Sequence, residues 1–265
     1  MTMDNATHNE NPERRAMRNF RVLLAYEGRN YKGWQVQPDQ TTVQGTIEDA
    51  LGDVLGAFTR IHASGRTDTG VSALGQVIHF LTDRWTATPA ELEARLKAAL
   101  PKDILVRALD EVPEDFHSRY CAKRKHYRYT VCNTRRPWPG PVRPDVYYFG
   151  ARLSIDRMRE AARRFVGTHD FSSFGVNPGR TVETPVRTLT RCEITHDAPF
   201  IHLDLEADGF LYKMVRSIVG TLHKVGVGAV EPDEITAILD ARDRSAAGPT
   251  APPYGLCLMQ VFYDE

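Results

Sequence analysis

A loop of small residues carries a carboxylate and a guanidinium close together, in the segment Ala-Ser-Gly-Arg-Thr-Asp-Thr-Gly-Val at residues 63–71. Asp68 follows Arg66 by two residues, and Gly65 and Gly70 bracket the pair, which lets a ligand approach the backbone closely. A neighbouring guanidinium favours the charged form of a carboxylate, which is then available as a nucleophile or a base. An ordinary hairpin turn uses the same residue types, so the loop alone leaves both interpretations open.

Charge is segregated in residues 116–144, which contain eight basic residues and no acidic one. The basic residues are Arg119, Lys123, Arg124, Lys125, Arg128, Arg135, Arg136 and Arg143. The aromatic residues interleaved with them are Tyr120, Tyr127, Tyr129 and Trp138. Cations contact phosphates and aromatic rings stack on unpaired bases, so this composition is typical of a surface that binds RNA or single-stranded nucleic acid. A solvated strand with lysines protecting its edge is the alternative.

Alternation within this stretch predicts which side chains share a face of a strand. His126 and Arg128 fall on one face, and Tyr127 and Tyr129 fall on the other. The two tyrosines are therefore either core residues, or one of them faces a cleft.

The third pattern is Asp-Gly-Phe-Leu-Tyr-Lys-Met-Val-Arg at residues 208–216, where a long helix is predicted to begin. Lys213 and Arg216 are three residues apart and are expected to be neighbours on the helix surface. Arg216 lies away from the apolar stripe of this helix, so it is either an exposed surface residue or a cation that faces a cleft. In the second case it is a natural partner for Asp68 or for a phosphate.

Two other catalytic motifs are incomplete. Asp68, Thr69 and Gly70 spell the Asp-Thr-Gly of aspartic proteases, but that chemistry needs two carboxylates that share one proton. The chain has one such motif, so a protease would have to obtain the second from a dimer. Residues 167–174 contain His, Asp and Ser, as hydrolases do, but without the Gly-x-Ser-x-Gly elbow.

The overall composition is that of an ordinary soluble protein. The chain has 265 residues, with 34 Lys and Arg against 34 Asp and Glu, so nucleic-acid binding cannot be argued from net charge and has to be sought in a local patch. No apolar run approaches the ~20 residues of a membrane span, and the acidic N-terminal residues do not suit a targeting peptide, so a cytoplasmic protein is expected. The cysteines show no metal-binding spacing and are expected to be small buried hydrophobes: Cys121, Cys132, Cys192 and Cys257.

Periodicity predicts the elements that must position these residues. In the first half, strands are predicted at 20–26, 59–63, 76–81 and 104–112, and helices begin at Thr41, capped with Gln44, and at Thr88, capped with Glu91. In the second half, strands are predicted at 126–133, 186–196, 200–207 and 256–263, and helices at 155–166, 211–225 and 232–241. Both halves can be read as β-α-β-β-α-β, the ferredoxin-like order. The expected division is a polar arm at 1–18, one domain at 19–115 and a second at 116–265, with a ligand cleft between the two domains.

Five ordered segments together resemble the tRNA pseudouridine synthase A family. They are Gly65 to Val71 followed by Gln76 and Val77, then residues 125–129, 167–174, 209–222 and 251–256. The resemblance runs from about Phe20 to Tyr263. It implies an α+β fold of two ferredoxin-like halves that share a mixed, mostly antiparallel sheet with a central basic cleft, and a homodimer that binds tRNA.

The resemblance also implies a reaction and a set of residue roles. The reaction converts uridine to pseudouridine in the anticodon stem-loop of tRNA, at uridines 38, 39 and 40, with no cofactor and no metal. Asp68 is implied as the nucleophile, attacking uracil C6 or ribose C1′, with Arg216 as its ion-pair partner. Arg66 would help to open the stem, and Tyr127 would stack on the extruded base. The remaining residues expected to contact substrate are Lys125, Arg124, Arg128, Lys213 and Phe210. A non-catalytic RNA-binding module and, more remotely, a dimeric aspartic protease are the alternatives.

Overall fold

The first half of the chain has the element order β-α-β-β-α-β. Its elements are β1 (Arg18–Tyr26), α1 (Val43–Leu55), β2 (His62–Ala63), β3 (Ser72–Thr82), α2 (Pro89–Ala99) and β4 (Ile104–Val112). The computed structural model describes residues 16–134, 143, 145–176 and 184–264. Arg18 already belongs to β1, so this strand starts inside the arm predicted at 1–18, and residues 1–15 of that arm lie outside the described residues.

Of the two helix caps predicted in this half, one is observed at the predicted residue and the other is shifted by one residue. The Thr88 side chain accepts a hydrogen bond from Glu91 N at 3.2 Å, and Glu91 accepts one from Thr88 N at 3.0 Å, which confirms the predicted capping box. The cap predicted at Thr41 was wrong by one residue, because Thr42 accepts the bond from Gly45 N. Gln44 is engaged elsewhere, as its amide donates to Glu48 at 2.9 Å.

The second half differs from this order by two additional short strands and an additional helix. Its elements are β5 (Arg124–Asn133), β6 (Tyr147–Phe149), α3 (Ile155–Arg163), β7 (Gly167–Asp170), β8 (Val186–Asp197), β9 (Phe200–Ala207), α4 (Met214–Gly226), α5 (Glu234–Ala241) and β10 (Leu256–Phe262). The additional elements are β6, β7 and α5. β8 and β9 form an antiparallel hairpin, in which Asp197 pairs with Phe200. The helix predicted from Leu211 begins at Met214, because Lys213 has a φ of 61° and caps the helix from the left-handed region. Lys213 and Arg216 are therefore not neighbours on one helix surface.

Both halves contribute to one sheet with the strand order β4-β1-β3-β10-β5-β9-β8-β7. β2 pairs with β3 and β6 pairs with β5. The pairs β10–β3 and β5–β6 are parallel, and the other pairs are antiparallel, which confirms the predicted mixed, mostly antiparallel sheet. The C-terminal strand β10 lies between β3 of the first half and β5 of the second. This insertion brings the loop between β2 and β3 close to β5.

The strand β5 separates a buried face from a charged one, as alternation predicts. Tyr127 and Tyr129 are buried, whereas His126 and Arg128 are partly exposed. Three of the four cysteines are buried as expected, and Cys121 is half-buried. Within the described ranges, no helix is long and apolar enough to cross a membrane.

Candidate active site

The first part of the segment that carries Asp68, here called the Asp68 loop (residues 64–71), is attached to β3 through one glutamine. Ser64 N donates to Val77 O at 2.8 Å, and the Ser64 hydroxyl donates to Gln76 Oε1 at 2.8 Å. The amide of Gln76 donates in turn to Gly65 O at 2.9 Å. Gln76 is fully buried, so its two hydrogen bonds hold the start of the loop in place.

The second part of the Asp68 loop packs against the connection between β1 and α1. Trp34 N donates to Thr67 O at 3.0 Å, and the Thr67 hydroxyl lies 2.8 Å from the Tyr26 hydroxyl. Gly70 has a φ of 80°, a conformation that strongly favours glycine, and Val71 N closes a turn onto Asp68 O at 3.1 Å. The backbone on both sides of Asp68 is thus fixed before any ligand binds.

The carboxylate of Asp68 forms an ion pair with Arg216 at the start of α4. Arg216 Nη1 donates to Asp68 Oδ2 at 2.6 Å, and the side chains of Arg216 and Asp68 are 12% and 20% exposed. Arg216 Nε donates to Ala251 O at 2.7 Å, so the guanidinium is held from two directions. The ion pair expected between these residues is therefore present, and a pair shielded this far from water interacts more strongly than a surface pair.

Residues 248–251 position Arg216, and their backbone lies directly against the backbone of α4. A Cβ built on Gly220 would lie 1.7 Å from Pro249 O, so only glycine allows this approach. Ala251 N donates to Arg216 O at 2.9 Å, and Gly248 N donates to the Thr221 hydroxyl at 2.8 Å. Ala251, the first residue of the family-like segment 251–256, thus serves to orient the arginine.

Tyr127 of β5 lies on the same side of the sheet as the ion pair and is 7% exposed. Its ring packs edge-on against Phe210, with ring centroids 5.2 Å apart. Burial raises the pKa of Tyr127 far above its ordinary value, and the nearby Tyr26 and Asp68 add to this effect. The phenol is therefore protonated at neutral pH.

Lys125 also lies next to the Asp68 loop. A Cβ built on Gly65 would be 3.8 Å from Lys125 Nζ, so the end of the lysine side chain lies against the start of the loop. Burial and, to a smaller extent, the charges of Arg119 and Arg187 lower the pKa of Lys125 to about 8. Arg187 was missed by the sequence analysis, because it lies at the start of β8 with no motif around it. Arg119 was counted among the basic residues without a role.

Arg66 and Lys213 are the other predicted residues near this region. Arg66 belongs to the Asp68 loop, and its side chain is exposed. Lys213 precedes α4, and its ammonium lies 4.9 Å from the centre of the Tyr212 ring. Arg135, Arg136 and Trp138 lie outside the described residues.

Arg124 and Arg128 are not brought to the site, because alternation along β5 directs them to the opposite face from Tyr127. Arg128 Nε lies 2.9 Å from Asp204 Oδ1, and His126 Nε2 lies 2.6 Å from the same oxygen. Arg124 lies 3.1 Å from Glu206. Arg124 and Arg128 are thus paired with carboxylates of β9, away from Asp68, and their expected contact with the substrate stays a prediction.

The remaining catalytic motifs do not form sites. Asp170 accepts hydrogen bonds from N and Oγ of Ser172, at 2.9 and 2.6 Å, which is a local turn rather than a hydrolase triad. Asp68 is paired with a guanidinium, whereas a protease carboxylate shares a proton with a second carboxylate. Across the ranges that the structure describes, no three His, Cys, Asp or Glu residues are grouped so as to hold a metal ion.

The comparisons with family models and with known proteins point to the same family. A family model described as tRNA pseudouridine synthase matches residues 23–121 and 161–264. The tRNA pseudouridine synthase A of Geobacter sp. (strain M21) is 43% identical over 252 residues, which cover 94% of this chain and 100% of that protein. The protein of the same name from Acetivibrio thermocellus is 42% identical over 248 residues, covering 93% and 100%. The one from Exiguobacterium sp. (strain ATCC BAA-1283 / AT1b) is 44% identical over 250 residues, covering 94% and 99%. The chain therefore belongs to the tRNA pseudouridine synthase family and is an enzyme of the isomerase class.

Proposed function

We propose that this protein isomerises uridine to pseudouridine in tRNA, with Asp68 as the nucleophile. The observation that carries the proposal is the shielded ion pair between Asp68 and Arg216, next to the buried ring of Tyr127. A carboxylate held charged by a guanidinium has a free lone pair for attack on an electrophilic carbon. The names of the relatives supply the substrate class, tRNA.

The reaction needs no external atoms or electrons. The bond between N1 of uracil and C1′ of ribose breaks, the uracil turns over, and a bond forms between C5 and C1′, while C5 loses one proton and N1 gains one. Asp68 would form a transient bond to C6 of the uracil or to C1′ of the ribose, and the proposal holds for either carbon. Arg216 holds the Asp68 carboxylate in place during the attack.

A base inside a stem is out of reach of a carboxylate, so the target nucleotide has to be extruded. Extrusion costs a few kcal/mol of stacking and pairing, which contacts with the protein offset. The proposed role of Arg66, which is exposed in the Asp68 loop, is to enter the space that the nucleotide leaves. Tyr127, supported by Phe210, would stack on the extruded uracil.

The proposed target is the anticodon stem-loop, at uridines 38, 39 and 40, and the proposed working form is a cytoplasmic homodimer that needs no cofactor. The support for these finer points is the resemblance to the tRNA pseudouridine synthase A family, whose name the relatives carry. Lys125, Phe210 and Lys213 remain the proposed substrate contacts on the Asp68 side of the sheet.

Pseudouridine mapping of a tRNA transcript tests the proposal. The purified full chain is incubated with unmodified tRNA, and each uridine is examined for conversion, with Asp68→Ala as the inactive control. Conversion at uridines of the anticodon stem-loop by the wild-type protein alone is the expected result. A protein that binds the transcript but converts no uridine would instead be the non-catalytic RNA-binding module.

A further inference from the structure

Lys125 and Arg187 come together across three strands on the Asp68 side of the sheet. Lys125 of β5 pairs with Ala207 of β9, and Ala207 pairs with Leu189 of β8. Arg187 is two residues from Leu189 on the same strand and therefore points to the same face. The row that joins the two cations is apolar, since Ala207 and Leu189 are buried.

The Arg187 side chain is fixed next to the residues that support Tyr127. Arg187 Nη1 donates to Thr184 O at 2.8 Å. A Cβ built on Gly209 would lie 3.4 Å from Arg187 Nε, so the guanidinium lies against the backbone that leads to Phe210. Phe210 in turn packs on Tyr127. Arg187 thus borders the same space as the proposed stacking pair.

These cations have no carboxylate partner within the described part of the chain, unlike their neighbours. Lys123 pairs with Asp264 at 2.8 Å, and Arg124 and Arg128 pair with acids of β9. The charged residues that affect the pKa of Lys125 are Arg119 and Arg187, and both are positive.

Among the described residues, Asp68 and Asp208 are carboxylates on neighbouring segments, and both are already engaged. Asp68 is paired with Arg216, and Asp208 Oδ1 accepts a hydrogen bond from Thr188 N at 3.1 Å. Like charges that converge in a partly desolvated place are unfavourable without an anion between them. This arrangement is therefore suited to an anionic ligand.

We infer that Lys125 and Arg187 form a binding site for one backbone phosphate of the RNA, adjacent to the target uridine. The inference rests on the proposed function, because the RNA substrate supplies the phosphate. Lys125 lies against the Asp68 loop at Gly65 and Arg187 lies against Gly209, so a phosphate between them would fix the strand on which the target nucleotide turns outward. Bound there, the phosphate provides the negative charge that Lys125 and Arg187 lack.

A double-mutant cycle between protein and RNA tests this site. The RNA probes are anticodon stem-loops in which one phosphodiester next to uridine 38, 39 or 40 is replaced by a neutral methylphosphonate. Dissociation constants are measured by fluorescence anisotropy for the full-length wild-type chain, Lys125→Met and Arg187→Gln. On unmodified RNA we expect each variant to bind about tenfold more weakly, the loss of one charged contact. On the RNA that lacks the charge at the correct linkage, the variants and the wild type are expected to bind equally.

Lys123→Met is the matched control, because Lys123 is the same residue type two positions away and is paired with Asp264. It is expected to show no coupling to any linkage. Thermal unfolding adds a second readout: Lys125→Met should be at least as stable as the wild type, because it removes an unpaired, partly buried charge. A merely structural lysine would lower the melting temperature instead.

The inference is overturned if the Lys125 and Arg187 variants lose the same affinity on every RNA, since that is the behaviour of diffuse charge attraction. The outcome is independent of catalysis, because binding is measured directly. Failure of the proposed function would appear separately, as a wild-type protein that shows the coupling but forms no pseudouridine.

Discussion

Arg216 donates a hydrogen bond of 2.6 Å to Asp68 although the two residues are 148 positions apart in the sequence. Asp68 belongs to the loop between β2 and β3, and Arg216 to α4 of the second half. The ion pair therefore joins the two halves at the proposed reaction centre. The two halves meet in the sheet at β10, which lies between β3 and β5, and this arrangement determines how Asp68 and Arg216 face each other.

Replacement of Arg216 should lower turnover more than substrate binding. In Arg216→Met, Asp68 loses its cationic partner, and we expect kcat to fall roughly a hundredfold, the effect of losing one preorganised charged donor. Arg216→Lys keeps the charge but cannot bond both Asp68 and Ala251, so an intermediate kcat is expected. Tritium release from tRNA labelled at C5 of uridine measures both variants. A wild-type kcat in Arg216→Met would contradict the role of the ion pair.

Tyr127→Phe separates the hydroxyl of Tyr127 from its ring. The ring still packs on Phe210, so KM should change little. Turnover should fall roughly a hundredfold if the hydroxyl handles the C5 proton, as expected for loss of a general acid–base group. Tyr127→Leu should in addition raise KM because stacking is lost. An unchanged kcat in Tyr127→Phe would leave stacking as the sole role.

Binding of RNA should weaken as pH rises through about 8. The pKa of Lys125 is lowered to about 8, first by burial and then by Arg119 and Arg187, so the ammonium is charged below this pH and neutral above it. Asp68 and Asp208 are carboxylates on adjacent described segments, and each already accepts a hydrogen bond from the protein. Anisotropy titrations from about pH 6.5 to 9.5 should show the loss of affinity in the wild type and a flatter profile in Lys125→Arg, whose guanidinium does not titrate there. Identical profiles would exclude Lys125 as the titrating contact.

The charged face of β5 should contribute to stability rather than to catalysis. Asp204 is buried between His126 and Arg128. Burial raises its pKa, but the hydrogen bonds from these two residues outweigh that effect and leave the pKa at about 2. Its contribution to stability is therefore present above the unfolded value of about 4 and is lost as pH falls through about 2.

Asp204→Ala leaves Arg128 and His126 without their hydrogen-bond partner, and we expect the free energy of unfolding at neutral pH to fall by about 3 kcal/mol. Urea denaturation measures this change, and kcat of the folded fraction should stay near the wild-type value. A variant with normal stability and lost RNA binding would return Arg128 to the substrate surface, where the sequence analysis had placed it.

Local features of the fold could be predicted because local physics determines them. The capping box at Thr88 and the alternation of Tyr127 and Arg128 each depend on residues within a few positions. The turn before α4 was not predicted, because the left-handed conformation of Lys213 has no signal in its residue type. The stripe of apolar residues continued through Leu211 and made the helix look longer than it is.

The residues of the candidate site were only partly predictable, because several of its contacts join segments that are distant in the sequence. Asp68 was singled out by its glycine-bracketed loop, but its contact with Arg216 depends on packing between distant segments and came from the family resemblance. Arg187 could not be found from the sequence, because its place beside Lys125 is set by the register of β5, β9 and β8. Arg124 and Arg128 were included because composition records charge but not the face of the strand.

The most direct measurement of the central claim is tritium release by Asp68→Ala together with its affinity for tRNA. The account predicts that turnover falls at least about a thousandfold while tRNA binding and the unfolding temperature stay close to those of the wild type. Turnover at the wild-type rate in Asp68→Ala would contradict the account, because pseudouridine would then form without the carboxylate.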